Sequence, residues 1–259
     1  MTHPRPWAVV GVAAALIVAL GAGCSGEDAS RPPDPEAARP PADDEPRPAT
    51  PPGGHEPGGP VYVAEALDPR LVVRDDHTDS AEPLVTLAAD EQVSGKVVCL
   101  VLGQVGDWLE VRLPGDAPEG TGWVARSDVA VTRHDFRIEV ARHDHTLRLY
   151  SGRTVALTAP VALGPDAPPA GRELFVTELV HPPEPDGPYR AYAYGLSGAA
   201  NDLAAFTAGT GVVAVHGVAD PAGLGTDVPH GSVGVAPDVV TRMADVLGLP
   251  LGTPVTVVD

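Results

Sequence analysis

Cysteine is nearly absent from this chain, with only Cys24 and Cys99 among 259 residues. Cys99 sits in the apolar run GKVVCLVLG, which reads as a buried strand. A reactive thiolate needs a polar, electropositive and partly exposed setting, so Cys99 reads as a core thiol rather than a nucleophile. Positive charge is scarce too: 17 Lys and Arg against 35 Asp and Glu leave a formal net charge of -18. That balance disfavours nucleic acid and anionic lipid surfaces as partners. The longest apolar stretch near the start, Trp7 to Leu20, is too short for a comfortable membrane span. The sequence has no phosphate-cradling glycine loop, dinucleotide fingerprint or Cys/His cluster, so neither cofactor nor metal is expected.

What is present begins with Arg5 ahead of that apolar stretch and small residues up to Cys24, the pattern of an export signal over residues 1–24. Its ending, GAGC, resembles a lipoprotein signal. The resemblance implies cleavage before Cys24 and a lipid on its thiol, with plain secretion as the alternative. The mature protein is then expected outside the cytoplasmic membrane, anchored to its outer face and facing the cell wall. With Cys24 lipidated no intrachain disulfide can form, so the fold must stand on its core. Residues 25–60 are Pro, Ala, Gly and acids with almost nothing to bury, and read as a disordered, semi-extended spacer.

Two β-rich pieces follow, so the expected fold class is mainly β. In residues 61–132 short apolar runs alternate with turn residues about every ten positions, the spacing of a small antiparallel barrel. GDWLEVRLPG and GTGWVARSDV resemble the closing hairpin of bacterial Src-homology-3-like domains. Trp108 and Trp123 on it are expected to pack structurally, with a ligand groove as the alternative. Residues 133–259 open with a hairpin in which Ile138, Val140, Leu147 and Leu149 alternate with polar residues. His143 and His145 lie at its turn; without a third ligand nearby they read as solvated turn residues rather than a metal site. Val239, Val240, Met243, Val246 and Leu247 are spaced as one helical face, and GTPVTVVD reads as a closing strand.

Over Phe136 to Val258 the chain resembles an L,D-transpeptidase of the YkuD type. The resemblance rests on RIEV…LRLYSGRTV…APVALG, APPAGRELFVTEL, PPEPDGPYRAYAYGLSG and GVVAVHG, in that order. The family signature is His-Gly, a loop, then Ser/Thr-His-Gly-Cys-hydrophobic-Arg/Asn. This chain has His216 and Gly217, a loop, then PHGSVG, so His230, Gly231 and Val233 match. Pro229 replaces Ser or Thr, Ser232 replaces the nucleophilic Cys, and Gly234 replaces Arg or Asn.

The resemblance implies peptidoglycan stem peptides as partners and acyl transfer from the diaminopimelate–D-Ala bond to a neighbouring diaminopimelate amine. It implies that residue 232 attacks, that His216 is the base, and that the Gly217 carbonyl orients the imidazole. His230 and Gly231 would line the pocket and the oxyanion site. A serine does not ionise near neutrality and needs general-base catalysis, with the imidazole held by a good acceptor. Asp220 and Asp227 are the nearby acids that could fill that role, though loop acids usually face water. Three departures in six residues favour loss of transpeptidation, leaving a stem-peptide binding or scaffold protein. Weak serine-based acyl transfer or hydrolysis is the alternative. GLSGA, Gly195 to Ala199, breaks the Gly-x-Ser-x-Gly pattern of a serine hydrolase at its last position.

Overall fold

The computed structural model describes residues 58–115, 120–181, 190–198 and 213–259. The expected export signal, Cys24 and the spacer up to residue 57 lie outside the described residues, as do 182–189 of the segment PPEPDGPYRAYAYGLSG. The described chain is mainly β and forms two sheets.

The first sheet comprises β1 (Val61–Ala66), β2 (Arg70–Arg74), β3 (Pro83–Ala88), β4 (Val98–Val105), β5 (Trp108–Arg112), β6 (Thr121–Ala125) and β7 (Val129–His134). The strands pair antiparallel in the order β3-β2-β6-β5-β4-β1-β7. Strands β1 and β4 are apolar on both faces because both faces are covered. Tyr62, Ala64, Cys99 and Val101 enter the sheet's own core, while Val61, Val63, Val98 and Leu100 pack with Phe175 of the second sheet. Cys99 is fully buried, and burial pushes its thiol up to about 12, so it carries no thiolate near neutrality. Trp108 and Trp123 do not join this core. Leu109, Val111 and Val124 supply the inward positions, so period-two alternation turns both Trp to the outer face. There they are half-buried, and Trp123 meets the His77 ring at 4.9 Å between centroids.

The second sheet comprises β8 (Phe136–Ala141), β9 (Thr146–Ser151), β10 (Thr154–Pro160), β11 (Ala162–Leu163), β12 (Glu173–Val180), β13 (Arg190–Leu196), β14 (Ala214–Gly217), β15 (Val233–Val235) and β16 (Pro254–Val258). Their order is β10-β9-β8-β16-β12-β13-β14-β15-β11, with β16 parallel to β8 and β14 parallel to β15. Strand β12 pairs with β16 through Glu173–Phe175 and with β13 from Val176 onward, with a register shift between Val176 and Glu178. The two wings of the sheet share one core, in which Ile138, Leu147 and Leu149 meet Tyr194, Val215, Val233 and Met243.

Helix α1 (Pro237–Thr241) covers this core through Val240 and runs into a π-helical turn, Arg242–Val246. The wider turn bonds the Leu247 amide to the Arg242 carbonyl at 3.0 Å. It carries Val246 off the apolar face expected from α-helical spacing, leaving it 72% exposed while Met243 stays buried.

Candidate functional site

The candidate site grows from the short parallel pair β14 and β15. Val215 opposes Val233 and His216 opposes Gly234. Val215 and Val233 point into the core, so His216 faces the other side. Carrying the alternation back from Gly234 puts Ser232 on that same side. Gly231 turns the chain into β15 at φ +85, a conformation costly for any residue with a Cβ. A Cβ there would also lie 3.3 Å from His216 Nε2. The imidazole edge thus rests against the Gly231 backbone, which only glycine permits.

The other ring nitrogen, Nδ1, lies 3.2 Å from the Gly217 carbonyl oxygen. A carbonyl can only accept, so Nδ1 carries the hydrogen and Nε2 is the acceptor in the neutral ring. His216 is 8% exposed. Burial lowers its pKa from the ordinary imidazole value, and the Gly217 carbonyl partly opposes the shift. The ring is therefore neutral near pH 7, with Nε2 turned toward Gly231.

Ser232 is 2% exposed, and its hydroxyl has one partner among the described residues: it donates to the Asp166 carbonyl at 3.3 Å. The 164–166 turn is fixed against the Gly231–Ser232 backbone. The Gly164 amide donates to the Ser232 carbonyl at 2.8 Å and the Asp166 amide to the Gly231 carbonyl at 3.2 Å. A Cβ on Gly164 would fall 1.9 Å from the Gly231 oxygen, so the turn can approach this closely only as glycine. Asp166 was not a candidate from the sequence because it acts through its backbone. The Gly-Pro pair before it, following APVAL, is the one sequence feature that marks a tight turn there.

Neither acid proposed for the imidazole faces it. Asp220 caps the turn at Pro221–Gly223, accepting from the Ala222 amide at 2.9 Å. Asp227 lies 3.1 Å from His145 Nε2. His145 is thus engaged with Asp227 while His143 is exposed, and among the described residues no group of three or more His, Cys, Asp or Glu is placed to hold a metal ion. His230 and Pro229 are exposed. Ser197 of GLSGA is buried and accepts from the Phe175 amide at 3.0 Å, a structural role.

The glycine at 234 has its own cause. A Cβ there would lie 2.3 Å from Val218 Cγ1 and 3.4 Å from Ala162 Cβ. Val218 fills the space that an Arg or Asn side chain at 234 would need. Gly234 and the bulk of Val218 are one packing solution across the parallel pair.

No protein-family model matches the sequence, and no curated protein matches it. Solved structures similar to this chain include an L,D-transpeptidase of Enterococcus faecium solved as a Cys-to-Ser mutant. It is 23% identical over 47% of this chain and 49% of that one, with a TM-score of 0.36. The catalytic domain of an Enterococcus faecium L,D-transpeptidase, solved by NMR, is 22% identical over 48% of this chain and 97% of that one, with a TM-score of 0.36. An L,D-transpeptidase from Mycobacterium smegmatis is 15% identical over 78% of this chain and 100% of that one, with a TM-score of 0.39. The chain spans about half the length of the first of these.

Two outcomes follow from the packing and the buried ring. Gly234→Arg should destabilise the fold by about 1–3 kcal/mol through overpacking, and Val218→Ala in the same chain should recover part of the loss, as read by urea unfolding. Equal loss in the single and double variants would show that Val218 is not the obstruction. The lowered pKa of His216 means that the unfolded chain takes up the proton first. Its contribution to stability is complete above the ordinary value of about 6.5 and declines as pH falls through and below it. The thermal midpoint of His216→Gln should therefore fall less steeply between about pH 7 and pH 5 than that of wild type; parallel slopes would contradict a neutral buried ring.

Proposed function

We propose that this chain binds peptidoglycan stem peptides in a pocket of L,D-transpeptidase type and that Ser232 does not turn them over. The subject matter rests on the resemblance over Phe136 to Val258 and on the His216-Gly217 and His230-Gly231 pairs. The loss of turnover rests chiefly on one observation: the Ser232 hydroxyl is buried and directed at the Asp166 carbonyl.

The chemistry agrees. A cysteine beside a neutral imidazole ionises by passing its proton to Nε2, since its ordinary pKa is near 8.5. A serine in the same place needs its proton removed during attack by an imidazole held in one tautomer by a strong acceptor. Here the Nδ1 acceptor is a backbone carbonyl, and neither Asp220 nor Asp227 reinforces it. The same reading places the protein outside the cytoplasmic membrane, with Cys24 as lipid anchor, residues 25–60 as tether and residues 61–132 as a Src-homology-3-like companion.

The test is covalent. Full-length wild type, Ser232→Cys and Ser232→Ala are incubated with a tetrapeptide stem ending in D-Ala, and separately with a carbapenem, then read by intact-mass spectrometry and peptide mapping. Stem binding is followed in parallel by calorimetry. The expected result is saturable binding without added mass for wild type, and an adduct at position 232 of Ser232→Cys. An adduct on Ser232 itself, absent from Ser232→Ala, would identify a serine enzyme; neither binding nor any adduct would overturn the pocket.

A further inference from the structure

The face of the second sheet that bears His216 also bears a buried carboxylate that the site does not use. Glu178 on β12 is 1% exposed, and desolvation raises its pKa above the ordinary carboxylate value. Its oxygens accept the backbone N–H groups of Val93 at 3.2 Å and Ser94 at 2.6 Å, both in the segment joining β3 to β4 of the first sheet. A buried carboxylate is costly unless its lone pairs are satisfied. The contact therefore fixes where that segment sits.

Cross-strand register shows what it sits on. Partners on adjacent strands share a face. One row across the sheet is Val180, Ala193, His216 and Gly234; the next contains Glu178, Gly195 and Ala214. Extending the parallel register of β14 and β15 by one residue aligns Ser232 with Ala214. Val93 packs with the buried pair Ala193 and Ala214. The first of these is directly opposite His216 and the second is two residues before it. Alanine and glycine in these rows let the segment descend onto the sheet, where larger side chains would hold it away.

We propose that residues 89–95, in the segment joining β3 to β4 and held down by Glu178, form a wall of the His216–Ser232 site, so that the first sheet's connection is a positioning part of the site. Val93 is the contact residue and Glu178 acts through it. The geometry stands without the peptidoglycan reading; only the identity of the ligand that meets the wall rests on that reading.

The test uses the full chain in a Ser232→Cys background, with Val93→Ala, Glu178→Gln and, as a control remote from the site, Val72→Ala. Val72 is exposed on the first sheet. Two readouts are needed that interface packing alone would not move. One is the ring signals of His216 in NMR, assigned with His216→Gln. The other is the alkylation rate of the thiol at position 232 by iodoacetamide, followed by peptide mapping.

The expected result is that Val93→Ala and Glu178→Gln both shift the His216 signals and raise the alkylation rate several-fold, whereas Val72→Ala does neither. Should Glu178→Gln fail to fold, Val93→Ala, which keeps the carboxylate, carries the test. Unchanged ring signals and alkylation rate in a folded Val93→Ala would overturn the wall and leave the segment as packing between sheets. A tetrapeptide stem that fails to bind while both readouts respond would sink the ligand and leave the wall standing.

Discussion

Two strands of four and three residues, β14 and β15, run parallel, and the site hangs on their register. Opposing His216 to Gly234 puts the imidazole beside the turn that enters β15. That turn holds only because Gly231 adopts a left-handed backbone that a side chain would make costly and that a Cβ would press against the ring. Around this pair the sheet is filled to capacity. Gly164 meets the Gly231 carbonyl, Gly217 meets the Arg190 carbonyl, and Gly234 meets Val218. Close packing of this kind leaves little freedom to move His216 relative to position 232.

Given that rigidity, the chemistry turns on the atom at position 232. The imidazole is desolvated and presents Nε2 as an acceptor, the state a thiol can exploit by giving up its proton. The Ser232 hydroxyl instead bonds to a carbonyl of the 164–166 turn. On the proposed reading, His216 keeps the place of a base while the Ser232 hydroxyl is held by the 164–166 turn.

The His-Gly and His-Gly-Ser pieces were legible in the sequence because they are contiguous and chemically distinctive. Their partners were not, because they act across strands or through the backbone. Asp166 offers a carbonyl, which no side-chain pattern announces. Val218 makes sense of Gly234 only once the parallel register is known. Glu178, in ELFVTELV, is buried because amides of the segment joining β3 to β4 come to meet it, which nothing local in the sequence announces. The alternation of the first sheet was readable, but which face of β5 and β6 carried Trp108 and Trp123 was decided by Leu109, Val111 and Val124 filling the core first. The apolar period near Val246 failed because the chain changes helical pitch at Arg242.

The proposal of a retained base beside a silenced nucleophile is tested most directly by the acidity of a thiol placed at position 232. In Ser232→Cys the thiolate is titrated by its ultraviolet absorbance against pH, with His216→Gln in the same background as reference. A thiol pKa well below the ordinary value of about 8.5, rising when His216 is removed, is expected if the imidazole still addresses that position. A value at or above 8.5 that is indifferent to His216 would mean that the two residues share a face without sharing a proton, and would contradict the proposed site.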